Sequence, residues 1–156
     1  MSTNQMILLL QKKTELFTAF LQITEEMCSG SPELLASNME KRLALQKQIE
    51  AVDRTLSPLL QKDPQAGAAA AMQCNYGGLD AEYAAVYDAA FQLHGILAII
   101  QPLEPHVKLR LQQERDRLLE KIEQTQKSPA AAASRYYQSA HMQPLFSPHG
   151  SSFGKA

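Results

Sequence analysis

Met6, Leu9, Lys13, Leu16, Phe20, Ile23 and Met27 stand alternately three and four residues apart, and six of the seven are apolar. This spacing lines one stripe of an α-helix, whereas the faces of a β-strand repeat every two residues. A helix with such a stripe must bury it against another helix. The spacing predicts a first helix over residues 4–28, with Ser2 and Gln5 at the separation of a capping box. The alternation returns at Leu35, Asn38, Arg42, Leu45, Ile49, Val52, Leu56 and Leu59, predicting a second helix over 32–61. Between the two, Gly30 suits a left-handed C-terminal position, Ser31 an N-cap and Pro32 the first helical residue. So short a link folds the pair into an antiparallel hairpin. Pro58 is expected to kink or fray the last turn.

A third stripe, Tyr83, Val86, Ala90, Leu93, Leu97 and Ile100, is apolar throughout and predicts a helix over 80–101 with Asp80 as its N-cap. Pro102 and Pro105 interrupt it, because each lacks a donor and disfavours helical geometry in the residue before it. Helix is expected again over 104–127, with Val107, Leu111, Leu118, Leu119 and Ile122 as its stripe. Arg110 with Glu114, and Glu123 with Lys127, form i,i+4 pairs on its outer side. Residues 62–79 read as a mobile loop punctuated by Pro64, Gly67, Gly77 and Gly78, with at most a transient helical turn over Ala68–Met72. From Ser128 the chain holds three prolines, two glycines and many serines, which predicts a flexible tail over 128–156 beyond a helical domain over 1–127. Tyr136, Tyr137, Met142, Leu145, Phe146 and Phe153 stud that tail, and anchors of this size suggest docking on this protein or on a partner.

The fold class that follows is all-α: an elongated antiparallel helical hairpin plus a third, proline-interrupted helix, forming a three- to four-helix bundle or coiled coil with a disordered C-terminal tail. Seams of about 25 residues give helices of roughly 35–40 Å at 1.5 Å per residue.

Chemistry finds little purchase in this sequence. The 15 basic and 16 acidic residues leave a net charge of -1, and no basic run offers a face for nucleic acid. Cys28 and Cys74 form no C-x-x-C pair, and His94, His106, His141 and His149 belong to no H-E-x-x-H or Glu-x-x-His motif. No nucleophile elbow or phosphate-binding loop is present. We expect no catalytic residue, no cofactor and no metal. The apolar run Met6–Leu10 is too short to span a bilayer and follows no basic segment, so no signal peptide is expected. Nothing else approaches a transmembrane length on this reading, which makes the chain a cytoplasmic protein without membrane insertion.

Amphipathic stripes mostly hold a fold together, but the stripe beyond the proline break has two roles open to it. Val107, Leu111, Leu118 and Ile122, helped by Tyr136 and Tyr137, form the candidate partner-binding face. In the other role, Leu111 and Leu118 belong to the core.

Two stretches resemble the flagellar type III export chaperones of the FlgN and FliT family. LLLQKKTELFTAFLQITEEM, a short turn and PELLASNMEKRLALQKQIEAVDRTLSPLL are similar to the family's opening helix pair. LQQERDRLLEKIEQTQKSPAAAASRYYQ and the final SSFGKA are similar to its charged helix and Tyr-bearing tail with a terminal Phe. The resemblance implies a cytoplasmic chaperone that holds a hook-associated or filament-cap protein and delivers it to the flagellar export apparatus. The alternative is a structural coiled coil that self-associates as a homo-oligomer.

Overall fold

The computed structural model describes residues 2–126, with side chains from Thr3 onward. Five α-helices make up most of this span: α1 (Ser2–Ser29), α2 (Leu35–Lys62), α3 (Pro64–Ala70), α4 (Ala81–Ile100) and α5 (Glu104–Gln126). Short 3-10 turns lie at Pro32–Leu34, Tyr76–Gly78 and Gln101–Leu103, and no strand occurs among the described residues. The first compact unit ends at Gln112 and the second begins at Gln113. The chain is all-α, as its periodicity predicts. The tail over 128–156 lies outside the described residues.

In the first unit α1 packs against both α2 and α4. The predicted hairpin forms: Leu56, late in α2, shares a core cluster with Met6 and Leu10, early in α1. α4 runs parallel to α1. Thr3 donates to Glu82 at one end (3.4 Å), and the Cys28 thiol lies 3.8 Å from the Leu103 carbonyl at the other. The core gathers at both ends of α1. One cluster holds Met6, Leu10, Leu56, Ala66, Val86 and Ala90; the other holds Met27, Leu35 and Val107. The stripes also explain their own polar members. Lys13 meets Asp53 of α2 at 2.7 Å, and Asn38 is buried.

Several expectations are corrected. Residues 62–79 are not a plain loop, because Pro64–Ala70 is helical and its Ala66 and Ala69 are fully buried. Asp63 caps this helix by accepting from the Ala66 N–H (3.3 Å), and Pro64 stands in its first turn. The Asp-Pro pair is a helix-start signal. Seven residues are too few to hold a helix alone, so packing supplies the rest. A Cβ on Gly67 would lie 3.0 Å from the Leu60 carbonyl oxygen, so a small residue lets α3 approach the end of α2. The end of α2 agrees with the expected boundary: Pro58 lies inside the helix, which continues to Lys62.

Gly30 is not left-handed. Its need for glycine is steric: a Cβ there would sit 2.5 Å from the Glu26 carbonyl oxygen. The left-handed position belongs to Met72, at φ 59, after α3. There Met72 N–H donates to Ala69 and Gln73 N–H to Ala68, closing a Schellman pair without glycine. The two prolines act as predicted, confining Gln101–Leu103 to a 3-10 turn before α5.

Asp63 also ties α3 to α4, since the Tyr83 hydroxyl donates to its second oxygen (2.9 Å). That bond is the main reason the Tyr83 pKa lies above its ordinary value of 10.0; desolvation and the Asp63 charge add to it. A raised folded-state pKa gives stability that is fully present below the unfolded value and is lost as pH climbs through the folded one. Stability should therefore fall as pH rises above about 10. Tyr83→Phe should remove this share of the alkaline loss, measured by denaturant melts across that range.

Candidate partner-binding surface

The candidate face divides along α5. Val107 is only 3% exposed and packs with Met27 and Leu35; Leu111 is half-buried against the same cluster. Val107 is therefore a core residue and not a free anchor, which corrects the sequence reading. The proline turn delivers the start of α5 onto the α1–α2 corner, where Met27 near the end of α1 meets Leu35 at the start of α2.

Two arginines fasten that corner. Arg110 of α5 donates to the main-chain carbonyls of Cys28 (2.8 Å) and Gly30 (2.7 Å). The last carbonyls of a helix have no partner within it, and Arg110 supplies one from outside. Within the second unit, Glu114 accepts from Arg117. Lys127, the partner expected for Glu123, lies outside the described residues. Arg42 of α2 donates to both carboxylate oxygens of Glu104 at 2.8 and 2.9 Å. Its guanidinium lies 4.3 Å from the centre of the Phe20 ring, and its other terminal nitrogen lies 3.9 Å from the Met27 sulfur. A charge in the α2 stripe is therefore a joint between three helices. Its place in an apolar seam was the available signal, and sequence reasoning did not follow it.

Between α2 and the start of α5 lies an open groove of about 630 Å³, lined in part by Met39, Arg42, Glu104, Val107, Lys108 and Leu111. Farther along α5, Leu118 is 40% exposed and Ile122 47% exposed. They stand one turn apart and border a shallow surface groove of about 340 Å³ with Lys121, Thr125 and Gln126. No described residue beyond Val107 is buried. Tyr136 and Tyr137 lie outside the described residues.

Off-stripe apolar residues are exposed as well. Phe91 (57%) and Ile99 (50%) lie on the outer side of α4. The stretch Ala81–Gln126 contains an 18-residue window of mean hydropathy 1.3, so by length and composition it could cross a membrane. The expectation that nothing approaches that length is corrected here: Ala and Ile in α4 raise the average despite Asp88 and His94. One side of α4, including Val86, Ala89, Ala90 and Leu93, is buried in the bundle.

Burial, foremost, raises the Cys28 thiol pKa above its ordinary value, although Arg110 pulls the other way. That makes it a poor nucleophile. Among the described residues, no group of three or more His, Cys, Asp or Glu side chains could hold a metal ion. The surface offers apolar patches with charged borders, which suit protein contacts better than covalent chemistry. No family model, curated protein or solved structure matches this chain.

Proposed function

We propose that the chain is a cytoplasmic export chaperone for late flagellar substrates. It binds an amphipathic helical segment of a hook-associated or filament-cap protein, covers it before assembly, and delivers it to the export apparatus. The observation that carries this reading is the exposed Leu118 and Ile122, one helical turn apart on α5. Apolar anchors at i,i+4 are the pattern by which one helix engages another. Unassembled coiled-coil segments expose an apolar stripe of their own, and covering it prevents self-association. The resemblance at the hairpin and at the C-terminal stretch supplies the class of client. The second reading, self-association, draws on Phe91 and Ile99, which leave apolar surface open on α4.

The test is affinity capture of the tagged full-length chain from flagellated cells. The chaperone reading expects a hook-associated or filament-cap protein in the captured fraction. Capture of this chain alone, with dimers growing in sedimentation as concentration rises, would favour self-association.

A further inference from the structure

We propose that the groove between α2 and the start of α5 recognises a partner helix that carries a carboxylate beside its apolar stripe. The inference rests on the reading of this chain as a binder of helical segments, and adds a second surface with a charge preference. Met39, Val107 and Leu111 supply apolar lining, and the groove's size of about 630 Å³ suits the insertion of side chains. Methionine adapts its shape to varied partners.

The charged lining consists of Arg42, Lys108 and Glu104, two cations against one carboxylate. Glu104 is committed, because both of its oxygens accept from Arg42. Arg42 is itself held by the Phe20 ring and the Met27 sulfur, so this side of the groove is set before a partner arrives. Lys108 is exposed and forms no ion pair among the described residues. One positive charge is thus left at the groove without a local counterpart, and a partner carboxylate complements it. The chain's own residues 128–156 contain neither Asp nor Glu, so that segment has no acidic side chain to offer. The occupant is another protein's acidic, amphipathic helix, with a second copy of this chain as the alternative that sedimentation tests.

The probes are two synthetic amphipathic helices of about 18 residues, or five turns. They share a leucine stripe and differ at one flanking position, Glu in one and Lys in the other. Each is titrated onto the full chain by fluorescence anisotropy. The Glu peptide should bind about two- to fivefold tighter, the scale of one exposed ion pair, and the preference should fade in high salt. Lys108→Glu should reverse the order. Met39→Ala should weaken both peptides without changing the order. The proposal is overturned if Lys108→Glu leaves the preference unaltered, if neither peptide binds, or if sedimentation shows a second copy excluding them. Should the peptide order reverse while no flagellar protein is captured, the groove stands and the chaperone reading fails. Should capture succeed and ignore Lys108, the groove alone fails.

Discussion

Met27→Ala should destabilise the first compact unit by about 2–5 kcal/mol. Met27 is fully buried and joins Leu35 and Val107 where α1, α2 and α5 meet. Truncation leaves a cavity, and the contact between the Arg42 guanidinium and the Met27 sulfur goes with it. The melting temperature should fall by several degrees for each kcal/mol lost, at the size scale of a unit like this one. Met27→Leu, which keeps most of the volume, should cost less than about 1.5 kcal/mol. A Met27→Ala protein that melts like the parent would mean that this junction contributes little to the fold.

Arg110→Ala should cost about 1.5–3 kcal/mol, the range for hydrogen bonds to a charged group. The substitution removes both outside donors from the Cys28 and Gly30 carbonyls. Water can reach part of this site, since Arg110 is only half-buried, and this keeps the loss below that of a sealed core. The effect should be local. Amide exchange should quicken at the end of α1 and the start of α5, and remain slow around Met6, Leu10 and Val86. Equal loosening at both ends of α1 would show that Arg110 acts on the whole unit and not on one joint.

The helices were legible because burial and sequence period coincide in them. Met6, Leu16, Phe20 and Met27 on α1, and Val86, Ala90, Leu93 and Ile100 on α4, are stripe positions and are buried. What escaped the reading depended on contacts between segments far apart in sequence. The helix over Pro64–Ala70 looks like a loop by its Pro and Gly content; Asp63 caps it and the packing of Ala66 and Ala69 stabilises it. The spacing of Arg110 shows only its neighbours on α5, and not that the turn at Gln101–Leu103 brings it to the end of α1. The candidate face was half legible for the same reason. Periodicity places Val107, Leu111, Leu118 and Ile122 on one stripe, but it does not say which of them another helix covers. Val107 is buried, whereas Leu118 and Ile122 are exposed.

The central claim is that α5 is anchored by its first turns and engages a partner through Leu118 and Ile122. The most direct measurement compares the double variant Leu118→Ala, Ile122→Ala with the parent in thermal melting and in binding to a captured flagellar client. Because both side chains are substantially exposed, the melt should stay within about 1 kcal/mol of the parent. Loss of two anchors should weaken binding about tenfold or more. Undiminished client binding, or a collapsed melt, would contradict the claim.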